Sequence, residues 1–280
     1  MVLRLAYLGP PGTFSEEAAS RYDPEARLIP FASFAAVVDA TRAGTADEGL
    51  LAIENSLEGA VPDTLDLLIQ ETDLRIRREL VIPIEHCLLT LPNTQPEAIR
   101  AIYSHPNALG QCRQYLERCL PSAQTVASLS TVTAVEEMKR SATPAAAIAP
   151  RRAAQLYGVE VMATGIQDRA NNVTRFVVLA HQDNPPTGAD KTSICFAFDD
   201  DRPGLLYGAM REFAVRGINL VKVESRPTKE GLGRYIFLVD LEGHREDGPV
   251  REALEALGRE ASMLKVFGSY PQYRDPQVGA

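Results

Sequence analysis

Cysteine is scarce in this chain and carries no pattern. The four stand at Cys87, Cys112, Cys119 and Cys195 without CxxC spacing, so no zinc ribbon or dithiol redox motif is in view. Cys112 and Cys119 share a predicted helix at a separation too long for a bridge. The set reads as reduced, buried thiols of a cytosolic protein. His86, His105, His181 and His244 are scattered without metal-ligand spacing, which predicts no metal site. A basic excess is also missing: 29 Lys and Arg face 37 Asp and Glu, a formal net charge of -8. Nucleic acid and anionic membrane need a basic footprint and are excluded as main partners. An anionic small molecule is not, because a locally positive site can sit on an acidic protein. No run approaches the roughly 18 apolar residues of a membrane helix. The apolar start, Met1 to Tyr7, stops at Gly9-Pro10-Pro11-Gly12 and lacks the form of a signal peptide. The expectation is a soluble, cytoplasmic protein.

What is present is ordinary globular composition, 45% hydrophobic and 24% charged over 280 residues, enough for two or three compact units. The first 180 residues alternate strands and helices. Leu3, Leu5 and Tyr7 alternate along a strand, and Thr13-Phe14-Ser15-Glu16 fits a capping box opening a helix. A helix is predicted from Ser33 to Ala43, a buried strand at Leu50–Ile53, and a helix from Val61 to Gln70 with Pro62 near its start. Leu74 to Leu91 is apolar and non-helical, a crossover between two lobes. A second block follows: strand at Ile99–Tyr103, helix at Pro106–Leu120, strand at Gln124–Ala127, helix at Thr131–Arg140, strands at Ala146–Ala149 and Val173–Ala180. This alternation predicts α/β layers with parallel sheets and a ligand cleft at strand C-termini and helix N-termini.

Residues 181–190 (HQDNPPTGAD) read as a linker. Beyond it the rhythm becomes βαββαβ, the ferredoxin-like order: strand Thr192–Phe198, helix Pro203–Arg216, strands Asn219–Arg226 and Arg234–Leu241, helix Pro249–Glu260, strand Met263–Gly268. The predicted domains are therefore 1–180, in two lobes, and 191–272.

Four strand-to-helix junctions in the first domain carry small polar residues. They are Gly9–Ser15, Glu54-Asn55-Ser56, Ser104-His105-Pro106 with Gln111 two turns on, and Ser130-Thr131. Each alone is an ordinary cap or turn, with Ser104 reading as an N-cap. Together they are better explained by a shared anion cleft.

Asn171-Asn172-Val173-Thr174-Arg175-Phe176 completes a set that resembles prephenate dehydratase. The family's Thr-Arg-Phe stands at Thr174–Phe176, its GPxGTFS at Gly9–Ser15, its Glu-Asn-Ser at Glu54–Ser56 and its SHPxxLxQC at Ser104–Cys112. The last domain resembles an ACT domain, with Pro203-Gly204-Leu205-Leu206, Asn219-Leu220 and the ESRP run Glu224–Pro227. Leu205 departs from the usual Ala, and the ligand class is unchanged. The resemblance covers nearly the whole chain, in the expected order. It implies a two-lobed, periplasmic-binding-protein-like catalytic domain plus the βαββαβ domain. It also implies decarboxylative dehydration of prephenate to phenylpyruvate, with feedback inhibition by phenylalanine and no cofactor or metal. Arogenate dehydratase shares these motifs, and a non-catalytic amino-acid-binding regulator is the other alternative.

By the same resemblance Thr174 donates to the leaving hydroxyl, and Thr13, Ser15, Asn55, Ser104 and Gln111 bind carboxylate or hydroxyl groups. Arg175 and Phe176 belong to that substrate set. Strand alternation turns Arg175 away from Thr174, toward a salt bridge, and returns Phe176 to wall the ring. Glu54 is a helix-start carboxylate or, beside the dianion, is either protonated or turned away. Gly204, Leu205, Asn219, Leu220, Glu224, Ser225 and Arg226 form the phenylalanine site. ACT domains pair across subunits, so a homodimer or homotetramer is expected. With the dehydratase motifs beginning at Gly9, no chorismate mutase segment is expected ahead of them.

Overall fold

A computed structural model describes residues 2–200, 202–228 and 234–274. The strands are β1 (Arg4–Leu8), β2 (Arg27–Phe31), β3 (Glu48–Asn55), β4 (Gly59–Ala60), β5 (Arg75–Pro83), β6 (Cys87–Thr90), β7 (Ala101–Ser104), β8 (Gln124–Ala127), β9 (Ala145–Ala149), β10 (Glu160–Ala163), β11 (Val173–Ala180), β12 (Asp190–Ala197), β13 (Leu220–Pro227), β14 (Tyr235–Glu242) and β15 (Met263–Pro271). The α-helices are α1 (Phe14–Tyr22), α2 (Phe34–Arg42), α3 (Pro62–Asp66), α4 (Pro106–Gln111), α5 (Arg113–Cys119), α6 (Thr131–Arg140), α7 (Arg151–Tyr157), α8 (Leu205–Ala214) and α9 (Gly248–Glu260). They support three sheets, ordered β2-β1-β3-β11-β5 with β4 on β3, β10-β6-β9-β7-β8, and β13-β14-β12-β15. The chain divides into two compact units, one of Met1–Val37, Leu50–Val61 and Val81–Phe176, the other of Val38–Gly49, Pro62–Leu80 and Val177–Ala280.

Within the first unit, alternation along the second sheet explains its two cores. Cys87, Leu89, Ala147 and Ala149 pack with Val132 and Val135 of α6 and Ala153 of α7. Their neighbours Leu88, Ala146 and Ile148 face Ala108 of α4 and Leu116 of α5. A strand covered on both faces needs a continuous apolar run, and the alanines of β9 let helices approach from either side. The sheet is mixed rather than parallel. β7 pairs parallel with β8 and β9, whereas β6 runs antiparallel to β9 and β10. The reversed strand is β6, which the chain enters directly after β5, while β10 keeps the direction of β9; the periodicity does not reveal this.

Two predicted helices are broken. Pro106–Leu120 divides at Cys112, whose ψ of 12° leaves the helical region. Val61–Gln70 becomes α3 followed by a π-helical turn, Leu67–Glu71, closed by Thr72 N–H donating to Leu67 O at 3.1 Å.

In the second unit, β12, α8, β13, β14, α9 and β15 give the βαββαβ order with an antiparallel sheet. Ile194, Phe196, Val239 and Leu241 on one sheet face bury Phe213 of α8 and Leu257 of α9. Fully burying one such side chain contributes about 1.5–3 kcal/mol. The opposite face meets residues of β5. Lys191 Nζ pairs with Glu79 at 2.8 Å, Arg75 donates to Val266 O, and the Gly268 backbone lies against Ile76. A side chain at Gly268 has no room there. Asp190, predicted to end the linker, is buried at the start of β12, where its carboxylate accepts from Thr187 N–H (2.7 Å) and Gly188 N–H (3.0 Å).

Candidate active site

A polar cluster of the first unit joins the end of β3, the start of β11 and the end of α4. Asn55 is its hub. Asn55 Oδ1 accepts from Leu57 N–H (2.9 Å) and Glu58 N–H (3.1 Å), the Asx turn that leads into β4. Asn55 Nδ2 donates to Asn172 Oδ1 (2.8 Å), Thr174 Oγ1 (2.9 Å) and Val173 O (3.1 Å). Asn172 Nδ2 donates to Gln111 Oε1 at 2.8 Å. Gln111 Nε2 donates to Glu58 Oε1 at 3.1 Å. His86 Nε2 lies 2.8 Å from Gln111 Oε1. Ser56 ties the same segments, its Oγ donating to Asn171 O (3.1 Å) and accepting from Val173 N–H (3.0 Å).

This geometry fixes what Thr174 can do. Its oxygen already accepts from Asn55, so its own hydrogen is available to a substrate oxygen. Asn172 and Thr174 are buried and Gln111 is half-buried, so each hydrogen bond acts in a medium poorer than water. Burial lowers the His86 pKa, and the bond to Gln111 opposes that only in part. The ring is therefore neutral.

Alternation along β3 and β11 separates a second pair. Arg175 Nη1 lies 3.7 Å from Glu54 Oε2, on the strand faces away from Asn55 and Thr174. Phe176 is fully buried in the core. Its ring therefore does not form an open wall.

Thr13 caps α1, its Oγ1 accepting from Glu16 N–H at 3.4 Å, and Ser15 lies in the first turn. The expected capping box is altered. Glu16 Oε2 accepts from Gly12 N–H at 2.7 Å and from Arg152 Nε of α7 at 2.6 Å. Burial alone would raise the Glu16 pKa, but Arg152 and the Gly12 N–H outweigh it and the net shift is downward. Gly12 has φ +95°, a conformation that L side chains rarely adopt, so this turn requires glycine.

Ser104 is not the N-cap of α4. That role falls to His105, whose Nδ1 accepts from Asn107 N–H. Ser104 ends β7, fully buried, and its hydroxyl donates to Ile148 O at 2.7 Å. Ser130 caps α6 by accepting from Thr133 N–H at 2.9 Å. Three cysteines are buried and Cys119 is exposed. Burial pushes Cys87 up to about 11 and Cys112 and Cys195 up to about 12, which makes these thiols inert.

The structure thus brings Asn55, Gln111 and Thr174 together. Their partners Asn172, Glu58 and His86 had no assigned role. Asn172 sits inside the Thr174 motif and Glu58 just beyond Glu54–Ser56, so local adjacency was their only signal. His86 lies in an apolar stretch that gave none.

In the second unit, Gly204 is the N-cap of α8 with φ 91°. It lines a cavity of about 350 Å³ with Arg202, Leu205, Tyr207, Tyr235 and Phe237. Asn219, Leu220, Glu224, Ser225 and Arg226 stand outside that lining. Asn219 O accepts from Glu242 N–H at 2.9 Å. Leu220 and Ser225 lie on β13. Glu224 pairs with Lys222 Nζ at 3.2 Å. Arg226 reaches Asp66 Oδ1 at 3.1 Å and Pro62 O at 3.4 Å.

Comparison with known proteins matches two stretches of the chain. A family model for prephenate dehydratase matches residues 5–184, and one for the ACT domain matches 200–259. The bifunctional chorismate mutase/prephenate dehydratase of Aquifex aeolicus is 43% identical over 96% of this chain and 74% of that protein. Among solved structures, the prephenate dehydratase of Arthrobacter aurescens in complex with L-Phe is 36% identical. It covers 96% of this chain and 90% of its own, with a TM-score of 0.89. A protein described as a novel type of quorum-quenching acylase is 31% identical, covering 98% and 99%, with a TM-score of 0.86.

Proposed function

The chain belongs to the prephenate dehydratase family, and from that premise we propose that the Asn55–Gln111–Thr174 cluster performs the decarboxylative dehydration of prephenate to phenylpyruvate. The chain is a lyase under phenylalanine control. In the reaction the bond from the ring to its carboxylate breaks and carbon dioxide leaves. The electron pair enters the ring, and the hydroxyl on the opposite carbon departs with a proton as water. One proton is consumed per turnover, and aromatisation supplies the driving force. The protein must hold a dianion and stabilise the departing oxygen.

The observation that carries this reading is the direction of the Asn55–Thr174 hydrogen bond. Asn55 Nδ2 donates to Thr174 Oγ1 at 2.9 Å, which turns the Thr174 hydrogen toward substrate. A threonine hydroxyl is a weak acid, so Thr174 acts as a placed dipole more than as a proton store. Gln111 Nε2 supplies a donor for a substrate carboxylate. Glu58, which holds that donor in the free protein, gives way to the substrate. Thr13 and Ser15 at the start of α1 serve the same anion. Ser104 supports the site through the β7–β9 backbone, and Arg175 and Phe176 support β11 from its other face and from the core.

Phenylalanine binds at the cavity beside Gly204 and Leu205. Its aromatic walls suit the ring, and Arg202 with Asp199 and Asp200 suits the charged ends of an amino acid. Asn219 to Arg226 complete that site or transmit it. Pairing of ACT domains into a dimer or tetramer is supported by the edge position of β13 and the exposure of Val221, Val223 and Tyr207. No helix among the described residues is long and apolar enough to cross a membrane; the cytoplasm is the location proposed for this biosynthetic enzyme.

Replacing Thr174 tests the reading. Thr174→Ala lowers kcat by about 10²–10³-fold, the range for losing one transition-state donor, with little change in KM. A variant with near-normal kcat would remove Thr174 from the chemistry.

A further inference from the structure

The hydrogen bonds around Gln111 can be oriented from the backbone alone. The N–H groups of Leu57 (2.9 Å) and Glu58 (3.1 Å) point at one side-chain atom of Asn55. That atom must be the carbonyl oxygen. Asn55 Nδ2 therefore faces Asn172 at 2.8 Å, and Asn172 must answer with Oδ1. Asn172 Nδ2 then faces Gln111 at 2.8 Å, and Gln111 must answer with Oε1. This leaves Gln111 Nε2 toward the Glu58 carboxylate at 3.1 Å, a pure acceptor. The assignment is thus consistent at both ends.

His86 closes the chain. Its Nε2 lies 2.8 Å from the same Gln111 Oε1, an atom that can only accept. Nε2 must carry hydrogen. The ring is 3% exposed and packs edge-on against Phe14 with centroids 5.6 Å apart. A neutral imidazole has one N–H, so Nδ1 is a bare acceptor, and among the described residues it meets no partner although it is buried. Buried polar groups normally find one, and an exception asks for an explanation.

We propose that His86 is a positioning residue of this enzyme: held as the Nε2–H tautomer, it commits Gln111 to present its amide NH2 group to the carboxylate of the substrate. An amide free to rotate would offer an anion its oxygen as readily as its nitrogen. Two donors on Oε1, from His86 and Asn172, remove that freedom. They also polarise the amide, which strengthens the bond its N–H groups donate. The inference rests on the reading of Gln111 as a substrate ligand.

Two measurements test it. In the full chain labelled with 15N-histidine, NMR at neutral pH reads the tautomer directly. A protonated Nε2 and bare Nδ1 support the proposal; the opposite tautomer or a charged ring overturns it. In turnover, His86→Leu removes the donor and raises KM for prephenate about 5–20-fold, as expected for losing one partner of a charged-ligand contact, with a smaller change in kcat. His86→Gln can return an N–H to nearly the same place and brings KM to within roughly threefold of the parent value. Equal KM rises in both variants, or none in either, overturn the proposal. Should His86→Leu not fold, the tautomer and the His86→Gln KM decide. The tautomer is read without substrate, so its failure sinks this inference alone. Absence of prephenate turnover by the unmodified chain sinks the underlying reading and this inference with it.

Discussion

Asn55→Asp is a nearly isosteric change with a large expected effect. The retained oxygen still accepts from Leu57 and Glu58 N–H, so the Asx turn survives. The other atom changes from a donor to an anionic acceptor. It then faces Asn172 Oδ1, Val173 O and Thr174 Oγ1, all within 3.1 Å in the parent. Two of these are carbonyl oxygens that lose a donor and gain a repulsion. The third, Thr174, turns its hydrogen onto the new carboxylate and away from substrate. Loss of the Thr174 donor alone costs about 2.7–4 kcal/mol in the transition state, or 10²–10³ in kcat. Leaving Asn172 Oδ1 without a partner costs about 1–3 kcal/mol of stability. The assay is phenylpyruvate formation from prephenate, with thermal unfolding followed in parallel. A folded variant with kcat within threefold of the parent would refute the assignment of hydrogen-bond direction.

Two further outcomes follow from other pairs. The Glu16 carboxyl is held below its ordinary value, so the unfolded chain binds this proton more tightly than the folded one. Its contribution to stability is full above the unfolded pKa of about 4.3 and is lost as pH falls through the folded value. Glu16→Gln therefore lowers Tm at pH 7 more than at pH 3; an equal loss at both would refute the Arg152 pairing as its source. Arg226 of the ACT domain grips Asp66 at 3.1 Å and Pro62 O at 3.4 Å, and the chain runs from Pro62 back through β4 to Glu58 and Asn55. Asp66→Ala weakens phenylalanine inhibition by about 5–150-fold, the typical span of allosteric coupling, while turnover without phenylalanine changes little. An unchanged inhibition curve would show that this pair carries no coupling.

The strand-and-helix rhythm was legible where one face or both had to be apolar. Leu50 and Leu51 in β3, the alanines of β9 and the Phe213 face of α8 all follow the pattern that burial imposes. The breaks were not legible. Nothing in the run Pro106–Leu120 marks Cys112 as a helix boundary, because the division follows from anchoring Gln111 to Asp168, whose N–H donates to Gln111 O at 2.7 Å. The strand directions of the second sheet were hidden for a related reason, since a buried apolar run looks alike in parallel and antiparallel neighbours. At the site, motifs brought forward Asn55, Gln111 and Thr174 but not what orients them. Glu58, Asn172 and His86 come from separate parts of the chain, and only the fold makes them neighbours. Ser104 shows the converse: a polar residue at a junction whose hydroxyl serves the sheet backbone.

The measurement that bears most directly on the central claim is product formation by the purified chain from prephenate, with and without phenylalanine, with arogenate in parallel. The account predicts phenylpyruvate from prephenate, suppressed when phenylalanine is added. Turnover of arogenate with none of prephenate would contradict it.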